Sequence, residues 1–240
     1  MKIALYQMED RGNPAANIEA ARQKIIESRA DFLVLPEFFT IPGGDFTEPY
    51  TLEQCWQETG LPSIRMFKEA TAIFKGYLIS GTILEKADGV YYNTCFVYKN
   101  SILVAKYHKI NLTQEEVALN ITPGSETTTF YTPFGWVGLI ICADCFSKIT
   151  VDAVAKDSDI IFFPVSLTDP NHPAVTGHPL SEIIAKKYKT SLVKVTRIGT
   201  FNGEKITSKS AVITPQGVIF ESGTGEELAL VEIPSVAQQG

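Results

Sequence analysis

Three reactive side chains stand directly after predicted strands: a carboxylate at Glu37, an ammonium at Lys109 and a thiol at Cys142. The carboxyl ends of strands are where α/β proteins build their sites. A carboxylate, an ammonium and a thiol are the parts of a thiol-dependent acyl-transfer site, as general base, oxyanion stabiliser and nucleophile. Taken alone, a glutamate or a lysine after a strand is more often a solvated charge than a catalytic group, and a cysteine is more often a small buried side chain. Their shared placement is what predicts a site.

Apolar runs and turn residues predict the elements that must position these side chains. Asn13 and Pro14 fit the start of a helix, and Pro62 and Gly76 fit the ends of a second. Because several apolar strands lack a polar face, we expect layered sheets with helices outside. The predicted strands are 2–8, 32–35, 77–84, 90–98, 102–107, 136–142, 159–165, 192–196, 208–214, 218–221 and 228–233, and the later helices are 145–156 and 181–189.

Composition narrows the functional classes. The 240 residues are 45% hydrophobic and 20% charged, with a net charge of -6, which is typical of one soluble globular domain over 1–240. The acidic balance disfavours nucleic acid and anionic lipid as partners. No apolar run approaches the roughly 18 residues of a membrane span. Acidic residues interrupt the N-terminal segment early, and four cysteines are too few for a disulfide scaffold, so we expect free thiols and a cytoplasmic location.

The segments around the three reactive residues resemble the nitrilase superfamily of carbon-nitrogen hydrolases. The core matches are Leu35-Pro36-Glu37 followed by Phe38-Phe39, the segment 107–112, and Gly138 through Asp144. Flanking matches lie at 92–94, 122–124, 196–199 and 210–215. The three core motifs stand in the family's order, and the likeness covers nearly the whole chain.

The resemblance implies an α/β fold of the four-layer αββα sandwich type, usually dimerised, with Glu37, Lys109 and Cys142 as the catalytic triad. It implies hydrolysis of a non-peptide carbon-nitrogen bond in a small amide or carbamoyl compound through a cysteine thioester, with neither cofactor nor metal. The backbone N–H of Ala143 is the expected second oxyanion donor. Family sites often contain a second glutamate, for which Glu116 is favoured over Glu115.

Other segments are expected to determine specificity. The candidate pocket residues are Phe38, Phe39, Asn93, Asp144 and Ser166, together with the Asp45 region and the segments 115–122 and 166–179. Asp144 is also expected to brace the turn after Cys142. The chain departs from the family pattern at 145–148, where many members carry Arg-Phe-Pro-Glu, at Leu167, where an aromatic residue is frequent, and at Asn111, where histidine is frequent.

Several alternatives stay open at this stage. Cys142 and Cys145 form a C-x-x-C that, with His172 and His178, would suggest zinc or a dithiol redox role, although a single such pair is a weak signal. Nitrile hydrolysis would use the same triad. We favour amides partly because the sequence stops soon after the last predicted strand, without the extension by which nitrilases build spiral assemblies. A catalytically silent binding or regulatory member of the fold is the remaining alternative.

Overall fold

A computed structural model describes residues 1–41, 51–201 and 203–233, so the Asp45 region expected near the site lies outside the described residues. Its helices are α1 (Pro14–Glu27), α2 (Leu52–Cys55), α3 (Leu61–Ile73), α4 (Gln114–Ala118), α5 (Lys148–Ala155), α6 (Pro173–Thr176) and α7 (Pro179–Tyr188). Its strands are β1 (Lys2–Glu9), β2 (Phe32–Val34), β3 (Tyr77–Ile79), β4 (Ile83–Ala87), β5 (Val90–Lys99), β6 (Ile102–His108), β7 (Thr129–Thr132), β8 (Gly135–Leu139), β9 (Ile160–Val165), β10 (Ser191–Phe201), β11 (Glu204–Ile206), β12 (Ala211–Thr214), β13 (Gly217–Glu221) and β14 (Glu227–Glu232).

The strands form two sheets that meet along one short edge. The first runs β6-β5-β3-β2-β1-β14, with β4 also paired to β5. The second runs β7-β8-β9-β10-β12-β13, with β11 folded back on β10. The sheets join where Met8 and Glu9 of β1 pair in parallel with Arg197 and Ile198 of β10. Both sheets therefore belong to one hydrogen-bonded network.

Apolar side chains divide the fold into four layers. Ile3, Phe32 and Ile79 of the first sheet pack against Leu139 and Phe162 of the second, forming a core between the sheets. A second core joins the outer face of the first sheet to α1 and α3, and a third joins the outer face of the second sheet to α5 and α7. Strands buried on both faces account for the apolar runs without alternation. The predicted αββα sandwich is confirmed.

Local sequence signals explain where the longer helices begin. The Asn13 side chain accepts a hydrogen bond from the Ala16 N–H, and Pro14 occupies the first helical turn of α1. The Ser147 side chain likewise accepts from the Thr150 N–H at the start of α5. No helix within the described ranges combines the length and the apolarity that a membrane-spanning helix requires.

Element boundaries differ from the sequence expectations in several places. The predicted strand 77–84 is two strands, β3 and β4, separated by a turn at Gly81. The predicted helix 145–156 is a 3₁₀ turn over Cys142–Phe146 followed by α5. The short elements α2, α4, α6, β7 and β11 were not predicted, because three to five residues carry too little periodicity to indicate a helix or a strand.

Gly81 links this turn to the segment that precedes Glu37. Its φ is +62°, and a Cβ there would overlap the carbonyl oxygen of Pro36. The neighbouring Thr82 N–H donates to that same carbonyl over 3.2 Å. Only glycine combines the left-handed conformation with so close a backbone approach. Gly81 therefore allows the loop after β3 to support the start of the Glu37 segment.

We expect Gly81→Ala to lower the free energy of unfolding by more than the about 1–3 kcal/mol that backbone strain alone costs, because the new methyl group also displaces Pro36. Urea unfolding followed by circular dichroism measures the loss. Gly89→Ala is the matched control, since Gly89 has φ +82° but no atom within 4 Å of an added Cβ. Equal losses in the two variants would contradict the proposed contact.

Candidate active site

The three side chains expected to do chemistry meet in one small cavity. Glu37 lies three residues after β2, Lys109 directly follows β6, and Cys142 lies three residues after β8. All three line a cavity of about 100 Å³, which Glu116 and Ser166 also line. Strand ends far apart in the sequence thus deliver a carboxylate, an ammonium and a thiol to the same space.

Lys109 lies between two carboxylates. Its side chain is 1% exposed, and its Nζ donates to Glu37 Oε1 over 2.9 Å and to Glu116 Oε2 over 2.7 Å. Burial is the largest influence on its pKa and acts to lower it, but the negative charges around the ammonium outweigh burial and hold the pKa well above its usual value. Lys109 is therefore a fixed positive charge within the cavity.

The Glu37 carboxylate is oriented by three donors. Oε1 accepts from Lys109 and from Asn93 Nδ2 over 2.9 Å, and Oε2 accepts from the Ser166 N–H over 2.8 Å. The residue is 2% exposed. A buried carboxylate with this many donors is satisfied and held in one orientation. Asn93, which was expected to line the pocket, is fully buried and donates to the carboxylates of both Glu37 and Glu116, and its contact with a substrate stays a prediction.

The structure places Glu116, and not Glu115, against Lys109. Glu116 is 4% exposed and accepts from Asn93 Nδ2 over 2.7 Å, whereas Glu115 is exposed. Its position follows from a capping box at the start of α4: the Thr113 N–H donates to Glu116 Oε2, and the Glu116 N–H donates to Thr113 Oγ1. The Thr-x-x-Glu pattern at 113–116 is a capping-box signal from which the start of this helix could have been predicted.

Cys142 sits on a strained turn. Its φ is +41°, a left-handed conformation that non-glycine residues rarely adopt. The thiol lies 3.9 Å from the Ser166 carbonyl oxygen and lines the cavity with Glu37 and Lys109. Burial, followed by the negative charge of Glu37, raises the pKa of the Cys142 thiol well above its usual value, although Lys109 opposes the shift. The resting thiol is thus protonated and needs a base.

Asp144 braces this turn, as expected. Its carboxylate accepts from the Tyr107 hydroxyl over 2.8 Å, from the Ile141 N–H over 2.9 Å, and from both the N–H and the side-chain amide of Asn111 over 2.8 and 2.9 Å. Asp144 is fully buried and is not among the residues that line the two cavities described here, so its second expected role, in the substrate pocket, stays a prediction. These bonds connect the Cys142 turn to β6 and to the loop that carries Lys109.

The remaining pocket candidates divide between cavity and core. Phe38 lines the small cavity, and Ser166 lines both it and a larger adjoining cavity of about 740 Å³. Phe39 is 1% exposed and packs against Phe67 in the core, so it lines neither of the two cavities among the described residues. Cys142 and Ala143 also line the larger cavity, which places the nucleophile candidate at the border of the two spaces.

Arg197 is a positioning residue that the sequence argument did not single out. Its Nε donates to Ser166 Oγ over 2.8 Å, and its Nη1 donates to the carbonyl oxygens of Phe38 and Ile41 over 2.7 and 2.6 Å. The guanidinium is buried and therefore ties the segment after Glu37 to the loop after β9. The available signal was a positive charge within the matched segment 196–199 of a mostly buried strand.

The four residues of the suggested zinc site line the same large cavity, but their side chains make other contacts. His172 accepts from the Ala174 N–H at the start of α6, and His178 contacts Glu221 and Lys194. Within the part of the chain that the structure describes, no three His, Cys, Asp or Glu side chains form a group suited to a metal ion. The C-x-x-C pattern belongs instead to the 3₁₀ turn that carries Cys142.

This four-layer sandwich, with a thiol, an ammonium and two carboxylates in one cavity, has the architecture of a hydrolytic enzyme. The chain belongs to the carbon-nitrogen hydrolase family, whose model matches residues 2–239. The predicted membership of the nitrilase superfamily is confirmed, and the protein is a carbon-nitrogen hydrolase.

Relatives of known name agree with this assignment. The human omega-amidase is 31% identical over 97% of this chain and 88% of its own length. A nitrilase from Pyrococcus abyssi is 29% identical over 97% of this chain and 89% of its own. A hydrolase from Schizosaccharomyces pombe matches at 28% identity, but the alignment spans only 54% of that protein. An amidase from Nesterenkonia sp. has the same fold, with a TM-score of 0.84 at 20% identity over 100% of this chain and 92% of that one.

Replacing Glu37 by Gln removes one of the charges that raise the Cys142 pKa, so we expect Glu37→Gln to lower that pKa. The pH dependence of Cys142 alkylation by iodoacetamide, followed by mass spectrometry in a Cys145→Ser background, reports it. The midpoint should move to lower pH in Glu37→Gln. Glu115→Gln is the control, because Glu115 is exposed and its charge is screened by water. An unchanged or higher midpoint in Glu37→Gln would refute the electrostatic account.

Proposed function

We propose that this carbon-nitrogen hydrolase is an amidase that forms a thioester on Cys142. The single observation that carries the proposal is the cavity shared by Cys142, Glu37 and Lys109, in which the thiol is held protonated beside a buried carboxylate. The similarity to the human omega-amidase supports an amide as the scissile group.

In the first half of the reaction, Glu37 acts as general base. It accepts the proton of the Cys142 thiol while the sulfur attacks the amide carbonyl carbon. The proton transfer avoids placing a free thiolate beside two carboxylates. As the tetrahedral intermediate collapses, protonated Glu37 returns the proton to the amide nitrogen. The carbon-nitrogen bond breaks, ammonia or an amine leaves, and a thioester remains.

The Lys109 ammonium and the backbone N–H of Ala143 stabilise the oxyanion of the tetrahedral intermediate. Lys109 is fixed and charged, so it needs no rearrangement when negative charge develops on the carbonyl oxygen. Ala143 directly follows the nucleophile and lines the adjoining cavity. Removal of one such donor costs about 10²–10³ in rate. Lys109→Met should cost more, because it also leaves two buried carboxylates without their cation.

Glu116 is a positioning residue in this scheme. It shares the Lys109 ammonium with Glu37 and fixes the Asn93 amide, which in turn donates to Glu37. The ammonium is thereby held between two anchors.

In the second half, Glu37 takes a proton from water, whose oxygen attacks the thioester carbonyl. The carbon-sulfur bond then breaks, and the proton returns to the Cys142 sulfur as the carboxylic acid product forms. These steps use only water and groups of this chain, so we propose that catalysis requires no metal or cofactor.

We also propose a cytoplasmic location. All four cysteines are free thiols, which supports this proposal.

A panel of simple amides with their nitrile analogues tests the function. We expect ammonia release from amides to exceed that from the matching nitriles. Intact mass should show an acyl adduct with a slowly hydrolysed amide, abolished in Cys142→Ser and retained in Cys145→Ser. An adduct that needs Cys145 instead would overturn the nucleophile assignment. Faster nitrile turnover, which the similarity to a nitrilase makes the relevant alternative, would replace the amidase proposal. A chain that binds amides without releasing ammonia would be a silent member.

We also propose that the protein forms at least a homodimer through its α5 side. The resemblance implies dimers, and three large apolar side chains are well exposed near the nucleophile turn and on the helices that cover the second sheet: Phe146 at 64%, Ile149 at 84% and Ile183 at 61%. Exposed apolar groups of this size are typical of interaction surfaces when they cluster.

Light scattering at micromolar concentration should therefore give at least twice the 26.4 kDa chain mass. We expect Ile149→Asp to shift the protein toward monomer, because it would bury a charge in the interface. Ile73→Asp is the matched control: Ile73 is 58% exposed at the end of α3, on the other side of the sandwich. A monomeric wild-type protein would reject the proposal.

A further inference from the structure

Cys145 brings a second thiol to the turn that carries the nucleophile. It lies three residues after Cys142 on the 3₁₀ turn Cys142–Phe146, and both cysteines line the cavity of about 740 Å³. Both are partly exposed, whereas Cys55 and Cys95 are buried and line neither of the two cavities. The amidase mechanism uses Cys142 and gives Cys145 no role, so the second thiol needs an explanation of its own.

The geometry of the turn places the two thiols on one face. Residues three apart eclipse each other in a 3₁₀ helix, and three rises of about 2.0 Å put their Cα atoms about 6 Å apart. Disulfides join Cα atoms that are about 4.4–6.8 Å apart. The turn is closed by the Asp144 N–H, which donates to the Ile141 carbonyl over 2.9 Å, and by the Ser147 N–H, which donates to the Asp144 carbonyl over 3.0 Å. A bond between the two sulfur atoms therefore fits the turn as it stands.

Asp144 limits how far the two thiols can separate. It lies between them in the chain, is fully buried, and its carboxylate accepts from the Tyr107 hydroxyl and from the N–H groups of Ile141 and Asn111. Groups held close together by a rigid frame react with a high effective concentration. An oxidised Cys142 sulfur would thus react with Cys145 in preference to a second oxidant molecule from solution.

Both resting thiols are protonated, so oxidation needs a base. Burial, and then the charge of Asp144, raises the pKa of the Cys145 thiol to about 12. The ammonium groups of Lys194 and Lys109 oppose that shift. Glu37 lines the small cavity together with Cys142 and is placed to take the Cys142 proton. The base that prepares this sulfur to attack a carbonyl carbon therefore also prepares it to attack a small oxidant.

We propose that Cys142 and Cys145 form a reversible disulfide on exposure to hydrogen peroxide, with Cys145 as the resolving thiol. In the first step the Cys142 sulfur attacks one peroxide oxygen and the O–O bond breaks. The thiol proton passes through Glu37 to the departing oxygen, which leaves as water, and Cys142 becomes a sulfenic acid. In the second step the Cys145 sulfur attacks the Cys142 sulfur, the S–O bond breaks, and the hydroxyl group leaves with the Cys145 proton as water. The two thiols lose two electrons in total, and the peroxide gains them.

The disulfide stops the use of Cys142 as a nucleophile without destroying it. A dithiol such as dithiothreitol reduces the bond, restores both thiols and is itself oxidised to a disulfide. Without a resolving thiol, further peroxide converts a sulfenic acid to sulfinic and sulfonic acids, which dithiols do not reduce. Position 145, at which the chain departs from the family pattern, thereby protects the nucleophile. The disulfide itself does not depend on the amidase proposal, whereas the loss of amide turnover does.

Peptide mapping of the oxidised full-length protein tests the pairing. After treatment with hydrogen peroxide and blocking of the remaining thiols with N-ethylmaleimide, trypsin leaves both cysteines in the peptide 110–148. We expect this peptide to be unlabelled and lighter by two hydrogen atoms than its dithiol form. Cleavage before Asp144 by an Asp-specific protease should give two fragments that stay joined until they are reduced. A disulfide to Cys55, to Cys95 or to a second chain would overturn the proposal, as would a sulfinic acid at Cys142 without a disulfide, or no oxidation.

Replacement of the resolving thiol tests its role. Before oxidation, Cys145→Ser should keep its amide turnover. After excess peroxide, Cys142 in this variant should gain two or three oxygen atoms, and dithiothreitol should fail to restore turnover. The wild-type protein should recover most of its turnover under the same treatment. Cys55→Ser is the matched control and should behave as the wild type, because Cys55 is buried and lines neither cavity. Equal recovery in Cys145→Ser and wild type would refute the protective role.

The mapping separates this inference from the proposed function, because it needs no turnover. If no amide is hydrolysed but the linked fragments form, the amidase proposal fails and the disulfide stands. If amides are hydrolysed and no bond joins Cys142 to Cys145, the disulfide is refuted and the amidase proposal stands. The mapping uses the wild-type chain, so its result holds even if Cys145→Ser does not fold.

Discussion

The site depends on one interaction, the burial of the Lys109 ammonium between the Glu37 and Glu116 carboxylates. Removing charged groups from water is so costly that each must find partners of opposite charge or strong donors. Burial, followed by the negative charge of Glu37, raises the pKa of the adjacent Cys142 thiol well above its usual value, although Lys109 opposes the shift. The same cluster that favours a charged Lys109 therefore disfavours a resting thiolate. A nucleophile in such surroundings needs a base that takes its proton as the bond forms, and among the described residues that line the small cavity the Glu37 carboxylate is placed to do so.

This cluster can form only because the two sheets hold distant segments in register. Glu37 follows a central strand of the first sheet, and Cys142 follows a strand of the second. Three groups of bonds connect the two sides: the Ser166 N–H to Glu37, Arg197 to the segment after Glu37, and Asp144 to Tyr107 and the Lys109 loop. The strained conformation at Cys142 is retained because these bonds over-determine the turn. Catalytic geometry is thus a property of the interface between the sheets.

The sequence was sufficient to predict site residues that stand at the ends of strands. It was insufficient to predict residues whose position is determined by side-chain packing. Glu37, Lys109 and Cys142 follow apolar runs, and the sandwich follows from strands without a polar face. The choice of Glu116 over Glu115 needed the capping box of α4, a helix too short for periodicity to reveal. Phe39 and Asn93 were expected in the pocket because they flank or match motif residues, yet Phe39 packs in the core and Asn93 donates to the two carboxylates. The sequence did not show in which direction each side chain points. Adjacent residues in an irregular segment, such as the one after β2, have no fixed period from which an orientation could be predicted.

Cys142 lies at the border of two cavities with different linings. The groups that react lie in one cavity, and the residues that could select the substrate lie in the other. The small cavity holds the charged cluster and has little room beyond the reacting group, so its residues are constrained by the reaction. The larger cavity has an apolar wall formed by the strand β9, the loop after it and α6, and it makes no contact with the Lys109 ammonium. Substitutions in the wall of the larger cavity therefore leave the contacts between Lys109 and the two carboxylates unchanged. The departures from the family pattern at Cys145, Phe146 and Leu167 all line this larger space, as does Lys194. Substrate preference can therefore diverge in this fold without disturbing the groups that break the bond.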